Sequence, residues 1–116
     1  MRVVALQAGE VDLLSNNSTW TLTRDTALGL DFVGITYYDG QGFMVPKKLG
    51  VKSAKELNGA SICVPSGSTT ELNIADYFRA NRMTFKPVII EDMDQIRLAF
   101  FAGRCDVYTG DTARLY

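Results

Sequence analysis

The side chains best suited to chemistry in this sequence are ones that bind charge. Arg24 carries a planar guanidinium, which matches a carboxylate because it can form two parallel hydrogen bonds. Shortly before it, Thr19 supplies a hydroxyl and Asn17 a main-chain carbonyl in a polar run. Such a run suits a loop at the carboxyl end of a strand. The alternative is that Arg24 pairs with Asp25 or Asp31 on the surface, where an ion pair contributes little.

A second candidate lies where an apolar run over Ile62–Val64 passes through a Pro-Ser-Gly loop into a helix. Ser68 precedes Glu71 at the spacing of a capping box, which predicts a helix from about Thr69 to Ala80. The first N–H groups of a helix, with the helix dipole behind them, can bind an anion. The spacing is that of neither a dinucleotide fingerprint nor a P-loop, so nucleotide binding is disfavoured. The alternative is an ordinary, well-capped turn between strand and helix.

The third candidate is Asp111, in the loop after a predicted strand over Cys105–Tyr108. An apolar run over Lys86–Ile90 and a helical pattern over Asp92–Phe101 make strands and helices alternate through the second half of the chain. This alternation predicts a parallel sheet. Asp111 would then face the helix that starts near Thr69 across a cleft at the carboxyl edge. The alternative is that Asp111 caps the last helix.

Composition excludes several function classes. The 116 residues include 12 basic and 13 acidic side chains, a net charge of −1 that leaves no electrostatic footprint for nucleic acid. There is no histidine, so Ser-His-Asp and Cys-His catalysis and histidine zinc sites are excluded. No metal site and no cofactor is predicted. No apolar stretch is long enough to span a membrane.

The two cysteines, Cys63 and Cys105, each fall in a predicted strand and lack the spacing of a metal or redox motif. If the two strands are neighbours, a disulfide can form in an oxidising compartment. The alternative is two separate buried thiols, since cysteine is a common core residue.

The first half gives shorter patterns. Short helices are predicted over Arg2–Ala8, Thr21–Leu28 and Ser53–Leu57, a surface loop over Lys47–Val51, and strands over Val11–Leu14, Asp31–Val33, Ile35–Tyr38 and Gly42–Val45.

Five segments in order, Ala5–Asp12, Thr19–Arg24, Tyr37–Met44, Ser66–Leu72 and Gly103–Tyr108, resemble the periplasmic amino-acid-binding proteins of ABC transporters, general L-amino-acid type. The resemblance covers essentially the whole chain but only about half of a family member. It implies an α/β, type II periplasmic-binding-protein-like fold. Residues 1–44 would be the remnant of lobe one, and residues 45–116 most of lobe two with its parallel sheet.

The resemblance also implies a role for each candidate residue. Arg24 matches the arginine that holds the ligand's α-carboxylate, and Thr19 the threonine that contacts both carboxylate and ammonium. Thr69 matches the backbone N–H that completes the carboxylate site. Asp111 matches the acid that holds the α-ammonium, and Asn17 offers its main-chain carbonyl to the same group.

The implied function is binding of a free L-amino acid, without converting it, for delivery to a membrane permease. Pro65 departs from the family pattern, because many members carry at this position a polar residue that helps to select the side chain of the ligand. Two other functions stay open: a dehydratase-like enzyme on the same fold, and a truncated, self-associating remnant without a transport role. Exposed strand edges in the remnant of lobe one predict at least a homodimer.

The resemblance implies a periplasmic location. No signal-peptide pattern opens the chain, so we expect either a cytoplasmic protein, if Met1 is the natural start, or a chain whose start has been removed.

Overall fold

In the second half of the chain, polar residues cap the helices, and the apolar segments between the helices form the strands of a sheet. The computed structural model describes residues 2–115, so Met1 lies outside the described residues. The helices are α1 (Arg2–Gln7), α2 (Leu22–Ala27), α3 (Thr69–Ala80) and α4 (Met93–Phe101); the strands are β1 (Gln41–Met44), β2 (Ser61–Pro65), β3 (Lys86–Ile90) and β4 (Val107–Asp111). Short 3₁₀ turns cover Lys47–Leu49, Ala54–Glu56 and Thr112–Arg114.

The chain divides into two compact units, Met1–Tyr38 and Asp39–Tyr116. The first unit contains α1 and α2, both predicted. Thr21 caps α2 through a hydrogen bond from the Arg24 N–H to its Oγ1 (3.3 Å). The Gln7 side chain donates to the carbonyl of Leu28 (2.8 Å). None of residues 2–38 is buried.

Three strand predictions in the first unit are wrong. Val11–Leu14, Asp31–Val33 and Ile35–Tyr38 have no strand structure. Their apolar residues fit a strand pattern, but a strand forms only where a neighbouring segment pairs with its backbone N–H and C=O groups. Residues 2–38 supply no such partner to one another.

The second unit has an α/β fold with a four-stranded sheet in the order β1-β4-β2-β3. β2 is parallel to both β3 and β4, which confirms the parallel sheet predicted for the second half. β4 begins two residues later than predicted and extends through Asp111. β1 adds an antiparallel strand at the edge, paired with β4.

The predicted boundary between lobes lies after Met44, whereas the two compact units divide between Tyr38 and Asp39. β1 is therefore part of the sheet of the second unit. The assignment of residues 1–44 and 45–116 to two lobes stays a prediction.

Each face of the sheet is covered by one helix. On one face, α3 packs over a buried apolar cluster of Leu57, Ile62, Val64, Ile74, Phe78 and Val107. On the other, α4 packs over Cys63, Ile96, Ala99, Phe100, Cys105 and Tyr108. In this second layer Cys63 and Cys105 form a disulfide. No helix within residues 2–115 is long and apolar enough to cross a membrane.

Candidate functional site

The N-terminus of α3 is held by a network of hydrogen bonds in the loop before it. Ser68 Oγ accepts from the Glu71 N–H (3.2 Å) and donates to the Pro65 carbonyl (2.7 Å). Glu71 Oε2 accepts from the Gly67 N–H (2.9 Å), one residue earlier than in the usual capping box. Thr69, the first residue of α3, is half-buried. The loop therefore fixes the position of the helix end that was predicted to bind an anion.

Asp111 is the last residue of β4 and lies directly opposite Gln41 of β1. Opposite residues of an antiparallel pair point to the same face, and alternate residues along a strand share a face. Asp111 therefore shares a face with Thr109 and Val107. Because Val107 packs in the same cluster as the α3 residue Ile74, this is the face that α3 covers.

The alternative role for Asp111, capping the last helix, is not found within the described residues. Asp111 stands at the N-cap position of the 3₁₀ turn Thr112–Arg114, but its side chain makes no capping hydrogen bond. The Thr112 N–H donates instead to the carbonyl of Gly40 (2.7 Å).

The second unit brings the start of α3 and Asp111 to the same edge of the sheet. β2 and β4 are parallel neighbours, so their carboxyl ends, at Pro65 and Asp111, lie on one edge. The Gln41 side chain spans this edge, because its Nε2 donates to the Thr70 carbonyl (3.2 Å) and to Thr109 Oγ1 (3.0 Å). A positive helix end and a carboxylate at one edge have the charges needed for the two poles of a zwitterion.

In the first unit, the structure brings together Arg24 and Thr19. Arg24 Nη1 donates to the Thr19 main-chain carbonyl (2.9 Å). Arg2 Nη2 donates to the Asn17 carbonyl (3.1 Å), which is the group expected to receive a ligand ammonium. Within residues 2–115, Arg24 forms no ion pair with its alternative partners Asp25 and Asp31.

Sequence reasoning missed Gln41, Thr70, Thr109 and Arg2. The sequence does carry a signal for Gln41 and Thr109, because residues two apart in a strand point to the same face. Gln41 therefore shares a face with Phe43, and Thr109 shares a face with Asp111, once the strands are paired. Within residues 2–115, no three His, Cys, Asp or Glu side chains group as metal ligands.

A protein-family model described as NMT1/THI5 like matches residues 3–114. The chain belongs to the NMT1/THI5-like family. The match runs through both compact units, from α1 to the 3₁₀ turn after β4.

Relatives of this family member include three named amino-acid-binding proteins. The chain is 61% identical over 115 residues to the general L-amino acid-binding periplasmic protein AapJ of Rhizobium johnstonii. It is 60% identical over 114 residues to the glutamate/glutamine/aspartate/asparagine-binding protein BztA of Rhodobacter capsulatus. It is 53% identical to YhdW of Escherichia coli, named as a putative amino-acid ABC transporter-binding protein. The resemblance to periplasmic amino-acid-binding proteins of ABC transporters is thereby confirmed.

Solved structures confirm the type II periplasmic-binding-protein fold. A periplasmic binding protein from Brucella ovis with glutathione bound matches with a TM-score of 0.95 and 59% identity, over 99% of this chain and 36% of that one. An ancestral arginine-binding protein bound to arginine matches with a TM-score of 0.80 and 26% identity, over 96% and 48% of the respective chains.

The alignments with the three curated relatives include 98–99% of this chain but only 34% of each relative. It thus spans about a third of these relatives, a smaller share than the half expected from the sequence.

Proposed function

We propose that this chain binds a free L-amino acid in the periplasm as part of the solute-binding component of an ABC transporter. This component delivers the solute to the membrane permease. The observation that carries the proposal is 61% identity over 99% of the chain to a general L-amino acid-binding periplasmic protein. The common edge of the second unit, with the N-terminus of α3 and Asp111, supports it with suitable charge chemistry.

In this proposal, five residues hold the solute. The Arg24 guanidinium and the Thr69 N–H bind the α-carboxylate, and Asp111 with the Asn17 carbonyl binds the α-ammonium. Thr19 contacts both groups. The Arg2 guanidinium, which bonds the Asn17 carbonyl, leaves that oxygen a second lone pair for the ammonium.

The five residues bind the α-carboxylate and the α-ammonium groups, and they do not specify the side chain of the solute. Pro65 is fully apolar and buried at the end of β2, so it adds no polar selection. The glutathione bound to the Brucella ovis relative favours a second candidate, a γ-glutamyl peptide. Glutathione carries the α-amino and α-carboxyl groups of an amino acid at its γ-glutamyl end, so the same five residues fit both candidates.

Calorimetric titration of the purified chain tests the proposal with L-glutamate, L-glutamine, L-asparagine, L-arginine and glutathione. We expect saturable binding of at least one of them. Arg24→Ala should weaken it about 10- to 100-fold, because a hydrogen bond to a charged group contributes about 1.5–3 kcal/mol. Asp111→Asn should weaken it similarly. Arg104→Ala and Glu91→Gln are matched controls, since both side chains are exposed.

Two results would contradict the proposal. Absence of binding by a folded chain would favour the self-associating remnant without a transport role. Turnover of a prephenate-like acid would favour a dehydratase; the relatives, however, are named as binding proteins, which supports a chain that does not convert its solute.

A further inference from the structure

The polar interior of the second unit is concentrated at one place. Among residues 2–115, the buried polar side chains are those of Thr70 (6% exposed) and Thr109 (0%). Both are hydrogen-bond partners of Gln41, through the Thr70 carbonyl and the Thr109 hydroxyl. Thr70 belongs to α3, Thr109 to β4 and Gln41 to β1. We refer to these three residues as the Gln41 latch.

The partners of Gln41 fix the orientation of its amide. The Thr70 carbonyl can only accept a hydrogen bond, and the Thr109 hydroxyl already donates to the Gly42 carbonyl (2.8 Å). The amide NH₂ must therefore point to both, which uses its two protons. Gln41 Oε1 is left buried without a hydrogen-bond partner.

An unpaired buried acceptor is destabilising, so the latch is a poor way to gain stability. An apolar side chain of similar size would fill the space and remove the orphaned oxygen. An apolar side chain, however, makes no directional bond between the first turn of α3 and β4. Because hydrogen bonds are directional, the two donors of the Gln41 amide relate the Thr70 carbonyl to Thr109 Oγ1 in both distance and angle.

The latch lies between the two charged poles of the second unit. Thr70 follows Thr69 in the first turn of α3, and Gln41 lies opposite Asp111 in the sheet. We propose that the Gln41 latch sets the separation between the Thr69 N–H and the Asp111 carboxylate, so that Gln41, Thr70 and Thr109 are positioning residues for a zwitterion. This inference rests on the proposed function and deepens it.

The test variant is Gln41→Met, which keeps the length of the side chain but loses both donors. Thr109 Oγ1 keeps its bond to the Gly42 carbonyl, and the Thr70 carbonyl faces the N–H of Ile74 in the helical pattern. Stability should therefore change little. Gln95→Met is the matched control, because Gln95 is exposed on α4.

Binding separates positioning from a purely structural role. L-glutamine carries both poles, whereas 4-carbamoylbutanoate, which is glutamine without its α-amino group, carries only the carboxylate. Gln41→Met should raise the Kd for L-glutamine about tenfold and that for 4-carbamoylbutanoate much less, because spacing matters only to a ligand that uses both poles. Equal losses for the two ligands, or an unchanged Kd for L-glutamine, would overturn the inference.

A ligand-free measurement keeps the latch testable if the proposed function fails. If the wild-type chain binds none of the tested solutes, the proposed function is wrong, and amide relaxation dispersion still decides whether the latch fixes the first turn of α3 relative to Asp111. Gln41→Met should introduce microsecond-to-millisecond exchange at the amides of Ser68–Glu71 and Asp111–Ala113, and Gln95→Met should not. Unchanged relaxation at both segments would overturn the inference independently of binding.

Discussion

At the scale of single residues, Asp106 shows how one side chain ties the start of a strand to its neighbour. Its Oδ2 accepts from the Ser61 hydroxyl (2.6 Å) and from the Ser61 N–H (2.9 Å). The hydrogen bond from the Ser61 hydroxyl, then that from its N–H, and more weakly the charge of Lys86 hold the pKa of Asp106 below its ordinary value, against the opposing effect of burial. The contact lies at the amino end of β2, away from the edge that carries Asp111.

This lowered pKa predicts a specific loss of stability in acid. A carboxylate with a lower pKa in the folded than in the unfolded state stabilises the fold above its unfolded pKa of about 4. That contribution disappears as the pH falls through the folded pKa. Asp106→Asn should therefore reduce the fall in the free energy of unfolding between pH 5 and pH 2.5, measured by urea denaturation at each pH.

Ser61→Ala is the informative partner variant, because it removes the hydroxyl that lowers the pKa and keeps the Asp106 charge. It should flatten the same part of the pH profile. A profile as steep as wild type in both variants would show that the acid sensitivity comes from other carboxylates.

At the scale of secondary-structure elements, the caps could be read from the sequence. Ser68 is the N-cap of α3, which begins at the predicted residue, Thr69, and Asp92 caps α4 by accepting from the N–H groups of Asp94 and Gln95. These are local interactions between residues close in sequence, so type and spacing suffice to predict them. The apolar runs of β2 and β3 were also predicted, at Ile62–Val64 and Lys86–Ile90.

Ser68→Ala should lower the free energy of unfolding by about 1 kcal/mol, because it leaves the Glu71 N–H without its capping acceptor. Chemical denaturation measures this loss. Ser66→Ala, at an exposed position in the same loop, should stay within about 0.5 kcal/mol of wild type. If both variants lose the same amount, the hydroxyl of Ser68 is not acting as a cap.

What the sequence could not supply were interactions between distant segments. The strands predicted at Val11–Leu14 and Ile35–Tyr38 depend on pairing partners that no local pattern specifies. The hydrogen bonds of Gln41 were hidden in the same way, because they join it to Thr70 and Thr109, which lie 29 and 68 positions away in the sequence. Of the predicted binding residues, the fold places Asp111 and Thr69 on one edge, which the βα alternation anticipated; their roles came from the family resemblance alone.

The disulfide is the strongest single link between elements of the second unit. Cys63 and Cys105 are 42 residues apart, and a cross-link that closes a loop of this length restricts the unfolded chain. Reduction, or Cys63→Ala with Cys105→Ala, should lower the free energy of unfolding by about 2–4 kcal/mol. Urea denaturation with and without reductant measures the loss. An identical midpoint in both conditions would mean that the bridge does not form in solution.

At the scale of the whole molecule, the two units differ in how much apolar surface they bury. Both apolar clusters, the four-stranded sheet and the disulfide belong to Asp39–Tyr116. In the first unit no residue from 2 to 38 is buried, and many large apolar side chains are exposed: Val4, Val11, Leu13, Trp20, Leu22, Val33, Ile35, Tyr37 and Tyr38. Two helices of six residues each cannot be stable in isolation, since even helices of about 12 residues are marginal in water.

This difference predicts where the chain associates with itself. Extensive exposed apolar surface is typical of interaction sites, and a second copy of the chain carries the same exposed apolar side chains. The 116-residue chain should therefore be at least a dimer by size-exclusion chromatography with light scattering. A chain of residues 39–116 should be a monomer with a cooperative thermal transition, because both apolar clusters and the disulfide lie within it.

Comparison of the 116-residue chain with residues 39–116 shows which unit forms the dimer interface, and two substitutions test this assignment. Leu13→Ser and Val33→Ser both remove exposed apolar surface from the first unit and should shift the full chain towards monomer. Leu98→Ser and Phe101→Ser, at exposed positions on α4, are the matched controls and should leave the dimer intact. A full chain that is a folded monomer would contradict the prediction. A dimer that persists in residues 39–116 would move the interface to the second unit, where the exposed face of α4 would become the surface to examine.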